Sequence, residues 1–367
     1  MAGKGRAAKG TDYGILVPAL LLVGLGLVFI YSSSSFLAAH RLEDSYFYLK
    51  RQGFFALAGL ALLVVAKNIP PRVYERLTYP ILFISLALLA ALLVPGMGKT
   101  VGGATRWLPV GPLAVQPSEP AKLALAAYVA YSMAKKRPEM ATFSRGLVPH
   151  LLVGGVFMGL IVMQPDLGTA VIIACWLLIV LFVGGVRFYQ LMLIILAIAP
   201  VVGFLIFLEP YRLRRWWAFL EPWKDPQGLG FQIIHSFLAF GSGGLFGVGL
   251  GNSKQKLLFL PEPHTDFILS IIAEEVGLVG VGVIAALFGA LIIRGIRVAL
   301  NARDLYGTYL ALGITCFLGI QVLVNMGVVM GLLPTKGLTL PLISYGGSSL
   351  IVNMVGVGML LSISRAR

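Results

Sequence analysis

The sequence has 367 residues, of which 58% are hydrophobic and only 12% are charged. Soluble domains carry roughly 25% charged residues, so the composition excludes a single-domain soluble fold. A net charge of +14 would suggest nucleic acid in a soluble protein. In so apolar a chain, basic residues that flank membrane spans explain most of it. We therefore predict a protein surrounded by membrane lipid, with no nucleic-acid partner.

Apolar stretches of about 20 residues, the length that crosses a bilayer, recur along the whole chain. They predict an all-α polytopic membrane protein with about ten transmembrane helices and a single integral membrane domain over 1–367. The first 13 residues form a short tail, and residues 209–265 form a long loop between helices 7 and 8. The predicted spans lie near 14–36, 50–66, 79–95, 118–134, 147–164, 167–185, 189–208, 266–293, 308–331 and 347–363.

Basic residues predict the orientation of these spans. Ten spans place both termini on one side, and every short loop on that side is basic, so the positive-inside rule makes the termini cytoplasmic. The long outer loop nevertheless carries six basic residues, which topology does not require. We expect an anionic ligand there. The six are Arg212, Arg214, Arg215, Lys224, Lys254 and Lys256.

Cysteine and histidine usage predicts no covalent or metal cross-links. Cys175 and Cys316 both lie within apolar spans, so we expect no disulfide. The four histidines are scattered without ligand-like spacing, so a protein-built metal site is not expected.

The start of the fourth span carries charges that are costly in lipid. Ser118 follows a proline and suits an N-cap, and Glu119 then lies in the first turn. Lys122 follows three residues later on the same face. Two interpretations stay open, an internal ion pair that neutralises both charges and a lysine held in a cavity to meet phosphate.

Four further acidic residues, at three sites, lie at the edge of spans or inside them. Asp166, in a very short link, is more often a helix cap than a catalyst. Asp266 opens the long eighth span, where it is either a cap or a general base whose pKa is raised by partial burial. Glu274 and Glu275 follow in the same span, so at least one should line a cavity or pair with a base, for which Lys122 is a candidate.

Part of the long loop combines apolar and glycine-rich segments. Residues 231–240 predict an amphipathic helix at the membrane surface. Residues 241–251 are rich in glycine, which suits either backbone amides that cradle phosphate or a flexible turn.

Six segments, in order along nearly the whole chain, resemble the SEDS family (shape, elongation, division and sporulation) of peptidoglycan polymerases. The last two are similar to the division branch, FtsW, whereas the elongation branch usually departs from them; sporulation paralogues share much of the pattern. The six are 103–108, 116–122, 164–170, 211–232, 241–267 and 325–349.

The resemblance implies a glycosyltransferase of the bacterial cytoplasmic (inner) membrane that polymerises lipid II into β-1,4 glycan strands on the outer face, at the division septum. The family's essential aspartate falls on Asp266, the expected general base of an inverting displacement. Residues expected to bind the pyrophosphate are Arg106, Lys122, Lys336, Arg212, Arg215, Lys254 and Lys256. Supporting residues are Glu119, Gln116, Ser118, His264, Glu275 and Ser344.

The resemblance also implies partners and a cofactor. They are lipid II and undecaprenyl-linked glycan, a class B penicillin-binding protein transpeptidase with the division complex, and a divalent cation, Mg²⁺ or Mn²⁺, that the protein does not cage. Two other functions stay open. A flippase for lipid II would usually show internal repeats, and we find none; a non-catalytic scaffold would not need charged residues at membrane depth.

Overall fold

The computed structural model describes residues 10–366 except 102–103, 112, 229 and 258–262, and it leaves out the side chains at 101, 113, 211 and 212. The α-helices are α1 Tyr13–Leu42, α2 Phe47–Asn68, α3 Pro71–Arg76, α4 Thr78–Ala91, α5 Ser118–Lys135, α6 Val148–Met163, α7 Leu167–Val183, α8 Phe188–Phe207, α9 Pro210–Leu220, α10 Phe231–Gly243, α11 Ile268–Leu300, α12 Leu305–Val329 and α13 Gly347–Arg365. Three short strands are β1 Lys99–Val101, β2 Ala104–Val110 and β3 Leu113–Val115.

Each of the ten predicted spans corresponds to a helix, namely α1, α2, α4 to α8 and α11 to α13. Within the described residues, seven helical segments are long and apolar enough to cross a membrane, and α4 and α7 are shorter apolar helices. Helix α5 is 18 residues long and carries Glu119, Lys122 and Lys135, so its charges set it apart. The chain is a multi-pass, all-α membrane protein, as predicted.

Aspartate side chains begin several helices by accepting hydrogen bonds from backbone amides that lack an intrahelical partner. Asp12 accepts from Gly14 N at 3.0 Å at the start of α1. Asp304 accepts from Gly307 N at 2.7 Å at the start of α12. These caps define the first residue of each of these helices.

The centre of the bundle is formed by α5, α12 and α13, most of whose residues are buried. Helix α7 joins this centre through Trp176, which is fully buried and stacks on Phe317 of α12 with ring centroids 4.1 Å apart. Its indole N–H donates to Gly313 O at 2.8 Å, which satisfies the polar atom of a large apolar side chain.

The two ends of the bundle differ. At one end, which we call the basic end, the guanidinium of Arg294 packs directly against Gly14. At the other, the loop end, lie the strands and the connections 164–166, 208–267 and 330–346. From Gly277 to Arg294, α11 rises about 26 Å at roughly 1.5 Å per residue, close to the hydrocarbon thickness of a bilayer. Residues 277–294 of α11 are therefore long enough to cross most of the hydrocarbon core.

A small antiparallel sheet, which the sequence did not predict, lies at the loop end between α4 and α5. The strand order is β1-β2-β3, with Thr100 opposite Thr105 and Val110 opposite Leu113. The β-branched residues of this segment favour strands. The sheet matters for function because its central strand, β2, carries Arg106.

Candidate active site

The first two charged groups of the site lie on α5. Lys122 Nζ donates to Glu119 Oε1 at 2.9 Å, and both side chains are buried. The ion-pair interpretation of this spacing is therefore confirmed. Among the described residues, the second carboxylate oxygen of Glu119 has no hydrogen-bond partner. Glu119 borders a cavity of about 20 Å³ that Gln321 and Asn353 also line. A cavity of this size has room for about one water molecule.

Arg106 and Lys336 converge on Asp166 from different elements. Arg106 Nε lies 3.8 Å from one oxygen of Asp166 and Lys336 Nζ lies 3.8 Å from the other. Arg106 also donates to the backbone carbonyl oxygens of Gln164 and Pro165. The predicted cap is also present, since Asp166 accepts from Thr169 N at 3.1 Å. Asp166 therefore both begins α7 and holds two cations at the loop end.

Lys336 reaches this position by passing directly over α7. A Cβ atom on Gly168 would lie 2.0 Å from Lys336 Cε, so the lysine needs the absence of a side chain at that position. Its ammonium group donates to Thr169 Oγ1 at 3.2 Å. The close approach of the two segments fixes the lysine beside Asp166.

Asp266 lies against the same loop that carries Lys336. A Cβ atom on Gly337 would lie 2.8 Å from Asp266 Oδ2, which places the carboxylate one residue from Lys336. Asn325 of α12 donates to the backbone oxygen of Asp266 at 3.0 Å and also to that of Leu338, so it holds the two segments together. The site thus combines one half-buried carboxylate with a group of basic side chains.

The cap interpretation of Asp266 is wrong. Helix α11 begins at Ile268, with Phe267 rather than Asp266 at the N-cap position. The N-cap prediction for Ser118 is also wrong, because Ser118 is the first helical residue of α5 and Pro117 precedes it without a side-chain cap. In both cases the helix starts one or two residues away from the expected position.

Burial and neighbouring charges set the protonation of the groups outside the spans. Burial lowers the pKa of Lys336 to about 8, against the opposing effect of Asp166 and with the help of Lys122 and Arg106. Burial alone would raise the pKa of Asp166, but Lys336 and Arg106 outweigh it and the pKa falls below its ordinary value. Asp166 is therefore ionised at neutral pH, whereas Lys336 can lose its proton at mildly alkaline pH.

His264 supports the segment that leads to Asp266. Its ring lies between Tyr48 and Tyr345, with centroid distances of 4.2 and 5.3 Å, and its backbone oxygen accepts from Tyr345 N at 2.9 Å. Burial lowers the pKa of His264 to about 4, so the imidazole is neutral at pH 7 and acts as a packing element.

The other supporting residues lie in the frame of the site. Ser118 is buried at the start of α5, and Gln116 donates its backbone N–H to Ser348 Oγ at 3.1 Å. Ser344 Oγ accepts from Leu340 N at 2.8 Å inside the loop that carries Lys336. These bonds connect the loop end to α5 and α13 rather than meeting a ligand.

Glu274 and Glu275 have partners other than the predicted one. Glu275 accepts from Lys256 Nζ at 3.0 Å and from Ser32 Oγ at 2.6 Å, so the expectation of a basic partner is confirmed but the choice of Lys122 is wrong. Glu274 accepts from Lys254 N at 3.1 Å and from Ser253 Oγ.

The loop cations predicted to bind pyrophosphate are distributed differently. Lys256 is buried in its ion pair with Glu275, whereas the Lys254 side chain is exposed. Arg215 donates to Thr335 O at 3.2 Å, which places it next to Lys336 along the chain. The side chain of Arg212 lies outside the described residues. Of the loop cations with described side chains, Arg215 and Lys254 stay candidates for a ligand.

The glycine-rich segment forms a turn after α10, which is one of the two predicted structures. Its amides bond to α11, with Val248 N donating to Glu274 O at 2.9 Å and Gly249 N donating to Glu275 O at 3.0 Å. Since these groups are occupied, the segment is not a phosphate cradle. The predicted helix over 231–240 is present as α10, and it packs on α11, where Ser236 Oγ lies 2.8 Å from Ser270 Oγ.

The sequence analysis did not single out two residues of the site. Asn325 stands as a polar residue one turn before the end of an apolar helix, which is a signal that could have been used. Thr169 contacts both Asp166 and Lys336, and its role could not be recognised without the fold.

Within the part of the chain that the structure describes, no three His, Cys, Asp or Glu side chains are grouped closely enough to hold a metal ion. Glu119 and Asp166 already face basic groups within 4 Å. A Mg²⁺ or Mn²⁺ ion that shares the Asp266 carboxylate with phosphate oxygens of a substrate would fit these donors, because hard cations prefer oxygen ligands. The divalent cation stays a prediction.

Known proteins place this arrangement in a family. Residues 14–367 match the model of the cell cycle protein family of FtsW, RodA and SpoVE. The chain belongs to this family. It is 48% identical over 353 residues to the probable peptidoglycan glycosyltransferase FtsW of Geobacter metallireducens, covering 96% of this chain and 94% of that one. Stage V sporulation protein E of Bacillus subtilis is 42% identical over 356 residues, with 96% and 97% covered.

Solved structures of this family share the fold. A chain from a study of polymerization and crosslinking by a peptidoglycan synthase complex superposes with a TM-score of 0.80 at 35% identity, covering 97% of this chain and 98% of that chain. The rod shape determining protein RodA of Thermus thermophilus superposes with a TM-score of 0.73 at 32% identity, with 98% of each chain covered.

Proposed function

We propose that this FtsW/RodA/SpoVE-family protein is a peptidoglycan glycosyltransferase that polymerises lipid II into β-1,4 glycan strands, with Asp266 as general base. The observation that carries the proposal is that Asp266 lies against Gly337, the residue after Lys336. The Lys336 ammonium group in turn lies near Arg106 and Lys122. The relatives from Geobacter, which are probable peptidoglycan glycosyltransferases, support the reaction class. We place the loop end outside the cytoplasm and both termini inside it, at the septal membrane.

The reaction we propose is one inverting displacement. The 4-hydroxyl oxygen of the acceptor GlcNAc attacks C1 of the donor sugar, and the bond from C1 to the undecaprenyl pyrophosphate oxygen breaks. Asp266 takes the hydroxyl proton, and the leaving pyrophosphate carries the electron pair. Since the donor linkage is α, a single attack from the opposite face gives the β product.

Charge stabilisation falls to the basic residues. Arg106 and Lys336 contact Asp166 at 3.8 Å, near the limit of an ion pair, so each retains N–H donors for an incoming pyrophosphate. Groups preplaced where charge develops need no reorganisation during the reaction, which is why such terms are usually the largest in catalysis. Lys122 lies on α5 in the same region, where Glu119 is its counter-ion.

The partner we propose is a class B penicillin-binding protein. It fits the family's structural neighbour, which comes from a synthase complex that couples polymerization to crosslinking. Because the partner can be required for activity, the test of function includes it.

The deciding experiment compares wild type with Asp266→Ala and Asp266→Asn in polymerisation of purified lipid II with the cognate transpeptidase. Each variant must first prove folded and partner-bound. We expect the variants to lose roughly 10²–10⁴-fold in rate, the usual worth of a general base. Asp44→Asn, at a half-buried carboxylate that pairs with Lys50 at the same end, is the matched control and should polymerise normally.

Two results would contradict the proposal in different ways. Normal polymerisation by both Asp266 variants would mean that Asp266 is not the general base, although the chain would still be a polymerase. Wild type that makes no glycan with its partner would favour a lipid II flippase or a non-catalytic scaffold.

A further inference from the structure

Helix α11 is interrupted where it meets the glycine-rich segment. Gly277 has φ 67° and ψ −169° inside the helix, a left-handed conformation that glycine adopts without strain. A Cβ atom at this position would lie 2.4 Å from the backbone nitrogen of Gly247. The break therefore needs glycine for its conformation and for the close approach of a second backbone.

The interruption is closed by backbone hydrogen bonds to residues 244–250, which we call the apolar turn. Leu278 N donates to Gly244 O at 3.0 Å, and Val279 N donates to Leu245 O at 3.1 Å. In return, the carbonyls of the two preceding glutamates accept from the turn. Gly247 N closes the turn on itself by donating to Gly243 O at 2.7 Å. Hydrogen bonds within the protein thus satisfy the amides of residues 247–249 and the carbonyls of Gly244 and Leu245.

The side chains of the turn point away from the protein. Phe246 is 80% exposed, Leu245 is 62% exposed and Leu250 is 61% exposed. They adjoin Leu278 and Val279, which are exposed apolar residues of α11 just beyond the break. The apolar surface of the span is therefore continuous with that of the turn.

We infer that the apolar turn lies in the bilayer interface of the leaflet at the loop end, with Phe246, Leu245 and Leu250 inserted among lipid chains. Gly277 stands about 26 Å along α11 from the basic end, close to the full hydrocarbon thickness of about 30 Å. Backbone polar groups at that level are costly without partners, and hydrogen bonds to α11 supply partners for part of the turn. An aqueous loop needs neither this bonding nor three large exposed apolar side chains.

Insertion of the turn in lipid also bears on substrate binding, a consequence that rests on the proposed function. The turn continues directly into 251–256, where Glu274 and Glu275 bind Lys254 N and Lys256 Nζ. Seating the turn in lipid fixes the height of this segment relative to the membrane surface. That is the level at which the pyrophosphate of a lipid-linked sugar lies.

Site-directed spin labelling tests the lipid contact without measuring activity. The full chain, with Cys175→Ala and Cys316→Ala, carries a nitroxide at Phe246→Cys and is reconstituted alone in phosphatidylethanolamine–phosphatidylglycerol vesicles. Collision with oxygen, which concentrates in lipid, is compared with collision with a water-soluble nickel chelate. Leu196→Cys, 73% exposed on α8, is the lipid control, and Val110→Cys, 57% exposed on β2, is the aqueous control.

We expect the oxygen-to-nickel ratio at position 246 to exceed that at 110 several-fold and to approach that at 196. A ratio equal to that at 110 would overturn the proposal, because the turn would then lie in water. Shielding from both reagents would also overturn it, because a second copy of the chain would cover the turn. Leu250→Cys repeats the measurement if the variant at 246 does not fold.

Discussion

Two groups of basic and acidic side chains at the loop end have similar compositions but different geometries. In the first, Arg106 and Lys336 each lie 3.8 Å from Asp166, and their side chains are 33% and 18% exposed. In the second, Lys256 lies 3.0 Å from a fully buried Glu275, which also accepts from Ser32.

The difference separates a binding site from a structural clamp. In the second group the donors and acceptors are bonded to one another, so an incoming anion would have to break a buried ion pair. The first group is held loosely and beside Asp266, so its cations can exchange Asp166 for phosphate oxygens. Residue type and loop position alone do not distinguish Lys256 from Lys336, whereas pairing distance and exposure do.

The largest effect should come from breaking the clamp with Glu275→Gln. It leaves the buried ammonium of Lys256 without its counter-ion, which typically costs about 3–5 kcal/mol. We expect a large loss of thermal stability in detergent, measured by unfolding of the purified protein. Pairing Glu275→Gln with Lys256→Met should recover a substantial part of that loss. Equal stability of the single and double variants would mean that the pair is not a clamp.

The loosely held group should respond in activity instead. Lys336→Met removes one preplaced cation, and loss of one such group typically lowers the rate by about 10²–10³-fold. We expect that loss in lipid II polymerisation, with stability close to that of wild type. The matched control is Lys135→Met at the basic end of α5. An unfolded Lys336→Met protein would contradict the contrast drawn above, since it would make Lys336 part of the structure.

A smaller effect is expected when only the position of Asp266 changes. The added methyl group of Gly337→Ala would lie 2.8 Å from Asp266 Oδ2, so the carboxylate must move. A displacement of this kind can cost up to about 10²-fold in rate. Gly159→Ala on α6 has no atom within 4 Å of the new methyl and serves as the control. Unchanged polymerisation by Gly337→Ala would mean that the position of the Asp266 carboxylate does not affect the reaction.

Hydrophobic patterning and motif order predicted most of the fold. The ten spans correspond to helices because apolar length is dictated by the bilayer. The sheet over β1 to β3 was not predicted, because its strands are short and glycine and proline lie among them. The break at Gly277 was not predicted either, because an isolated glycine in a span is common. Only the approach of the apolar turn gives this glycine a role.

Prediction of the site was uneven for a different physical reason. Spacing within one helix is fixed by the backbone, so the Glu119–Lys122 pair could be predicted from the sequence. Partners across helices cannot be, and Glu275 was accordingly assigned to Lys122 instead of Lys256. Asp166 was expected as a cap and is one, but its contacts with Arg106 and Lys336 depend on how three separate loops meet.

The smallest expected effect is on the pH dependence of activity, which tests whether the reaction needs the charge of Lys336. Burial lowers the pKa of Lys336 to about 8, so its ammonium loses its proton, and the site loses a positive charge, as the pH rises through that value. We expect kcat/KM, which reports groups of the free enzyme, to fall above about pH 8. In Lys336→Arg the guanidinium stays charged, so the falling limb should move to higher pH even if the rate is lower.

Lys135→Arg, at the basic end, should leave the limb in place. A limb that stays near pH 8 in Lys336→Arg would assign the titration to another group. It would also mean that the charge of Lys336 is not what the substrate requires. Because the clamp lysine, Lys256, is held by a tight buried pair, Lys256→Arg should change stability without moving the limb, which keeps the two regions distinct in one measurement.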